Sequence, residues 1–186
     1  MRIIAGKWRG RTLVSPPGAT TRPTAGRTRE ALFSMLASRI GSFEDLRVVD
    51  LFAGTGALGL EALSRGAAYC TFVDHDPPAL TALRRNIAAV GAEADTFVMA
   101  MAVSGIGPAR APCDLLLFDP PYGSGGGSAL LERMTRLGWA TEGAWAAVET
   151  GADESVSAEG WTIDAERRYG RAKVSVLSRV REAQPD

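Results

Sequence analysis

The 186 residues carry 21 Lys and Arg against 21 Asp and Glu, with 46% hydrophobic and 23% charged residues, two Cys and one His. That length and balance point to one α/β domain with a sizeable core and exclude a disordered chain. No apolar run approaches a membrane span, Met1–Lys7 is too soon interrupted for a signal peptide, and Cys70, Cys113 and His75 stand in no zinc-ligand spacing. The chain therefore reads as cytoplasmic, off the membrane and without a metal.

The zero net charge hides an asymmetry. Residues 1–40 hold eight basic side chains against Glu30 alone, a surplus of seven that the remainder balances. A basic arm ahead of an acidic body reads as a polyanion-binding surface, with arginine suited to phosphate by its forked guanidinium. Within it, Ile3-Ile4 and Thr12-Leu13-Val14 read as the strands of a small hairpin, with Lys7, Trp8, Arg9 and Arg11 at its basic and aromatic tip. An extended connector through Arg22-Pro23 follows, and Arg27 and Arg29 sit near the start of an amphipathic helix over 28–40.

The first sheet strand is expected at 47–52, running into Ala53-Gly54-Thr55-Gly56-Ala57-Leu58-Gly59. A strand, a glycine turn and a helix over 58–65 make a nucleotide-cofactor cradle, in which glycines let the ligand approach the backbone and the helix start offers unpaired N–H groups. The loop by itself does not choose between NAD, FAD and S-adenosylmethionine. A second strand, 69–74, ends in Asp74, 20 residues after Gly54, where a carboxylate meets ribose hydroxyls in βαβ units. Pro77-Pro78 opens a helix through Val90; strands follow at 96–99 and 114–118, a helix at 129–137, and strands at 144–149, 161–167 and 174–179. Cys113 precedes its strand, at the end away from the ligand crevice, and with Cys70 reads as a packing thiol.

The apolar run Leu115-Leu116-Leu117-Phe118 is a strand buried on both faces, and it ends in Asp119-Pro120-Pro121-Tyr122. An exocyclic base amine is a poor nucleophile because its lone pair is spread into the ring. Asp119 and the Pro120 carbonyl can accept its two N–H bonds and aim the lone pair, Pro121 adds rigidity, and Tyr122 can stack on the extruded base.

These motifs carry a family resemblance. Arg2-Ile3-Ile4-Ala5-Gly6-Lys7-Trp8-Arg9-Gly10-Arg11, Arg22-Pro23-Thr24, Asp50-Leu51-Phe52-Ala53-Gly54-Thr55-Gly56-Ala57-Leu58-Gly59 and Asp119-Pro120-Pro121-Tyr122 resemble the RsmD-type 16S ribosomal RNA guanine-N2 methyltransferases. The resemblance implies a Rossmann-like class I methyltransferase with a central seven-stranded, mostly parallel sheet and a small N-terminal hairpin arm. It also implies S-adenosylmethionine as donor and N2 of guanine 966 in 16S rRNA as acceptor, on naked RNA or a small-subunit assembly intermediate. The expected division is an arm and connector over 1–27, a methyltransferase domain over 28–181 and a tail over 182–186, acting as a monomer. The expected cofactor residues are Asp50, Phe52, Ala53, Gly54, Gly56, Asp74, His75, Met101 and Ala102; the catalytic residues are Asp119, Pro120, Pro121 and Tyr122. Lys7, Trp8, Arg9, Arg11, Arg22, Arg27 and Arg29 are expected on RNA. Where related enzymes carry Asp or Asn after the third strand, this chain has Met99-Ala100-Met101-Ala102, which leaves adenine to backbone groups and apolar contact. An adenine-N6 methyltransferase is the nearest alternative; an NAD-dependent dehydrogenase would leave the tetrad and the arm without a role.

Overall fold

A computed structural model describes residues 1–16, 23–120 and 126–180, with 23–25 described by their backbone alone. The connector through Arg22, the residues Pro121 and Tyr122, and the tail 182–186 lie outside the described residues.

Among the described residues seven strands form one sheet: β1 (Arg47–Leu51), β2 (Tyr69–Asp74), β3 (Thr96–Ala100), β4 (Cys113–Phe118), β5 (Ala140–Gly151), β6 (Trp161–Tyr169) and β7 (Ala172–Arg179). Their order is β3-β2-β1-β4-β5-β7-β6. Strands β1 to β5 pair in parallel, while β7 runs antiparallel to both β5 and β6. Chain progress reverses between β1 and β4, and at that reversal the two following loops part to open a crevice above the strands' carboxyl ends.

Among the described residues four α-helices cover the sheet: α1 (Pro23–Ile40), α2 (Ala57–Ser64), α3 (Pro77–Val90) and α4 (Gly127–Arg136). Strand alternation divides the core into two layers. Val48, Phe72, Leu115 and Leu117 pack with Leu36, Leu63 and Leu83 of α1, α2 and α3. Val49, Leu51, Leu116 and Phe118 face the other way, onto Leu131 and Met134 of α4. Local signals place the ends of α3: the Asp76 side chain accepts from the Ala79 N–H at 3.0 Å, prolines occupy its first turn, and Gly91 stops it in the left-handed region at φ 68°.

Several element bounds shift by one or two residues from expectation, and two shift further. Helix α1 begins at Pro23, not Thr28, and β5 spans twelve residues, not the six of 144–149. The arm keeps a short form of the expected hairpin. Arg2 and Thr12 form an antiparallel bridge, and around it the Leu13 N–H bonds the Met1 carbonyl at 2.8 Å, the Ile3 N–H the Arg11 carbonyl at 3.0 Å and the Gly10 N–H the Ile3 carbonyl at 2.9 Å. Its tip is tied to α2: the Ile4 and Ala5 N–H groups bond the Glu61 carboxylate at 2.7 and 3.0 Å, the Lys7 N–H bonds the Ser64 carbonyl at 2.7 Å, and the Trp8 N–H bonds the Ser64 hydroxyl at 3.0 Å. Donors that the short hairpin leaves unused across its own strands are given to α2. Ile3 and Leu13 then join the α1–α2 layer of the core.

Gly6 makes this docking possible. Its φ is +83°, and a Cβ there would lie 1.7 Å from the Ser64 carbonyl oxygen. Gly6→Ala is therefore expected to lift the arm from α2 at a cost of about 1–3 kcal/mol. Amide exchange should quicken at Ile4, Lys7 and Trp8 while the β4 amides stay protected; unchanged exchange in the arm would contradict the packing argument.

Candidate active site

The crevice is built by the carboxyl ends of β1, β2 and β4, the turn after β3, and the start of α4. Its cavity, about 410 Å³, is lined by Phe52 and His75, by Ala102 to Ser104, by Pro120, and by α4 residues including Leu130 and Arg133. That volume lies within the roughly 300–1,000 Å³ common for small-molecule sites.

The glycine loop is shaped for a close ligand. Phe52, Gly54 and Gly56 all have positive φ, at 63°, 54° and 79°. Phe52 is a strained non-glycine residue at the wall of the cavity. Gly56 caps the start of α2, where a Cβ would meet Leu83 Cδ1 at 2.4 Å. Gly59, one turn on, allows α2 to press on β2, since a Cβ would come within 2.3 Å of the Phe72 ring and 2.6 Å of Cys70 Sγ. Ala53 is buried, with its N–H on the Val73 carbonyl at 3.0 Å, so it contributes backbone shape.

Asp74 holds the loop and remains open to a ligand. Its Oδ2 accepts from the Gly54 N–H at 2.7 Å and its Oδ1 from the Asp76 N–H at 2.9 Å. Each oxygen keeps a second lone pair, and the residue is half-buried, so an adjacent pair of hydroxyls can be bound by an already oriented carboxylate.

Asp50, expected on the cofactor, is 1% exposed and is not among the residues that line the cavity. Its Oδ2 accepts from the Gly59 N–H at 2.8 Å, which fixes the first turn of α2. Burial pushes its carboxyl well above the ordinary range, the Gly59 bond opposes that, and the neighbouring Asp119 and Asp74 charges add to it.

Asp119 follows β4, its N–H on the Leu51 carbonyl at 3.5 Å. It is open to water at the crevice mouth yet flanked by enough protein to be poorly solvated. Its carboxyl is pushed up to about 7, first by desolvation and then by the nearby Glu149 carboxylate. Glu149 belongs beside it: Phe118 pairs with Val148, and each acid is the next residue on its strand.

Of the residues expected on RNA, Lys7, Arg9, Arg11 and Arg27 are exposed. Trp8 is half-buried against the core, with Lys7 Nζ 4.4 Å from its ring centre. Arg29 is turned inward, which corrects its reading as a phosphate contact: it is 7% exposed and donates through Nη2 to the Arg2 carbonyl. Burial pulls its guanidinium below the ordinary range, and the attraction of Glu61 opposes that. Cys70 and Cys113 are buried thiols pushed upward, Cys113 to about 12, as packing residues are. His75 and Ala102 line the crevice, while half-buried Met101 packs near Gly105.

Sequence reasoning missed Glu61, Ser64 and Asn86, which hold the arm, and Ser104 and Arg133, which line the crevice. A signal was present for Asn86. It sits on the apolar stripe of α3 between Leu83, Ile87 and Val90, where a polar residue needs partners; it finds both the N–H and the carbonyl of Val14 and the carbonyl of Thr55.

The sheet order, the antiparallel β7 and the glycine loop under an acid-tipped β2 define a class I, Rossmann-like methyltransferase. The chain belongs to the family described as Conserved hypothetical protein 95, whose model matches residues 1–178. It is 34% identical to Ribosomal RNA small subunit methyltransferase D of Escherichia coli strain K12, over all of this chain and 93% of the relative. It is 33% identical to the protein of the same name from Haemophilus influenzae, over 91% of this chain and 89% of that one. The solved structure of Escherichia coli yhhF superposes with a TM-score of 0.86 at 32% identity, covering 98% of this chain and 99% of that one.

The glycine backbone angles and the part-satisfied Asp74 carboxylate suit an adenosyl group. Asp74→Ala should weaken S-adenosylhomocysteine binding at least about tenfold, from lost hydroxyl bonds and a freed Gly54 N–H. Calorimetric titration measures this, and an unchanged affinity would remove Asp74 from the site.

Proposed function

We infer that the protein transfers a methyl group from S-adenosylmethionine to the exocyclic N2 amine of a guanine in small-subunit ribosomal RNA, guanine 966 of 16S rRNA being the nucleotide that the family resemblance implies. One observation carries the reading: Pro120, next to Asp119 after β4, lines the same crevice as Phe52, which leads into the glycine loop, and His75, which follows Asp74. A group that can hold a base amine thus lies beside a group that can hold an adenosyl donor.

S-adenosylmethionine supplies a sulfonium methyl as electrophile. The chain's residues supply placement. Gly54, Gly56, Asp74 and the turn after β3 would hold the donor; the Asp119 carboxylate would accept one amine N–H and the Pro120 carbonyl the other. Two acceptors on one amine restrain its rotation and localise its lone pair, so orientation provides the acceleration without a covalent intermediate. Pro121 and Tyr122 join this role on the sequence motif. Asp119 would also take the proton that the amine loses after transfer, a task suited to a carboxyl with a pKa of about 7. Exposed Lys7, Arg9, Arg11 and Arg27 would engage phosphates.

Asp119→Ala should lower turnover by about two orders of magnitude or more, with S-adenosylhomocysteine affinity within about threefold of the parent. Since the ionised carboxylate is the active form, kcat/KM should rise with pH through about 7 and level off above. Glu149→Gln removes a like charge and should move that midpoint downward. Near-normal turnover of Asp119→Ala on small-subunit RNA, read as N2-methylguanine by nucleoside mass spectrometry, would overturn the mechanism.

The arm is tested by Lys7→Ala, Arg9→Ala and Arg11→Ala together. Losing three phosphate contacts should reduce the salt dependence of RNA binding by about two to three in log–log slope. An unchanged slope would place the RNA elsewhere.

A further inference from the structure

Residues 99–102 offer adenine no polar side chain. Past β3 the chain makes a single 3-10 turn, Val103–Gly105, and continues through Ile106 and Gly107. Ala102, Val103 and Ser104 line the crevice, and the Ser104 side chain is exposed there. Val103 and Ile106 are buried anchors. One guanidinium ties the turn down: Arg133 Nη1 donates to the Val103 carbonyl at 2.9 Å, and its Nη2 donates to the Ile106 carbonyl at 2.7 Å. Trp139 Nε1 adds a bond to the Gly107 carbonyl at 2.9 Å. Arg133 stands on α4 and lines the same cavity.

We infer that Arg133 is a positioning residue for the cofactor's adenine: its two-pronged bond to the Val103 and Ile106 carbonyls presets the turn, so that the Ser104 hydroxyl and the turn's backbone read the adenine edge in place of an acidic side chain. This rests on the cofactor assignment above. A long acidic side chain can adjust to a base after it arrives. A backbone edge cannot, because its donors and acceptors move only with the whole loop; the loop must be set before binding or its ordering weakens the complex. A planar fork bonding two carbonyls fixes their separation and angle, which a single lysine bond does not. The clamp therefore gives this chain a route to adenine recognition that tolerates Met101.

The test compares S-adenosylhomocysteine with S-inosylhomocysteine, which differs only at the base edge: a carbonyl replaces the 6-amine and N1 carries a proton. Calorimetric titration of the parent should show a preference for the adenosyl ligand of about tenfold or more. In Arg133→Met, affinity for the adenosyl ligand should fall about tenfold while that for the inosyl ligand changes less than about threefold, so the preference collapses. Arg133→Lys, able to bond one carbonyl at a time, should fall between. Ser104→Ala probes the same edge without disturbing α4 and should also reduce the preference, which keeps the question decidable if the methionine variant does not fold. Equal weakening of both ligands in the Arg133 variants, or an undiminished preference in them or in Ser104→Ala, overturns the proposal. A parent protein that binds neither ligand overturns the cofactor reading instead.

Discussion

The Glu61 carboxylate, wholly buried on α2, is the constraint on which the molecule's working parts depend. It accepts from the Ile4 and Ala5 N–H groups and from Arg65 Nε at 2.8 Å. A buried carboxylate is tolerable only when its oxygens are filled, and here the arm's own backbone supplies two of the donors. The same helix begins at the glycine loop. Arm and donor pocket are therefore two ends of one eight-residue element, and Asn86 adds a second tie by bonding Val14 of the arm and the Thr55 carbonyl of the loop. A basic arm attached in this way has a set position relative to the glycine loop, which a freely jointed arm would lack.

Electrostatics at the sheet's carboxyl edge follow from topology. Strand pairing puts Asp50, Asp74 and Asp119 at the ends of neighbouring strands, and the charges of Asp119 and Asp74 add to the burial that pushes the Asp50 carboxyl up. The structure divides their tasks by environment. Asp50 is dry and holds Gly59, Asp74 is kept oriented by two backbone donors, and Asp119 is left at the mouth with a carboxyl poised near neutrality. The tasks differ because one acid is sealed under α2, one is bonded to the loop and one has Glu149 as its neighbour.

The third strand's end shows how a site can lose a familiar side chain and keep a defined pocket. With Met101 in place of an acid or amide, the turn after β3 is braced from α4 through Arg133 and from the start of β5 by Trp139 at its approach. Recognition is thereby moved from one residue to the shape of a loop, and the residues that maintain that shape lie some 30 positions further along the chain.

Much of this protein was determined locally. The strand and helix alternation, the positive-φ glycines at 54 and 56, the acid closing β2, the Asp76-Pro77 start of α3 and the doubly buried 115–118 run each express a short-range preference that tertiary structure did not need to override. The Asp-Pro step after β4 was equally legible, because a strand's end fixes which side of the sheet the next residue reaches. Tertiary structure alone decided where the arm docks: Ile3-Ile4 and Thr12-Val14 favour a hairpin by pattern and its cross-bonds form, but Glu61 and Ser64, 56 to 57 residues away, take the N–H groups of Ile4, Ala5, Lys7 and Trp8 because their own burial requires partners. It also decided that Arg29 faces inward while Arg27 faces out, and that Asp50 is buried with its carboxylate on the Gly59 N–H. Charge and residue type read alike in either setting; burial, which assigns a polar group its partner, exists only once distant segments have packed.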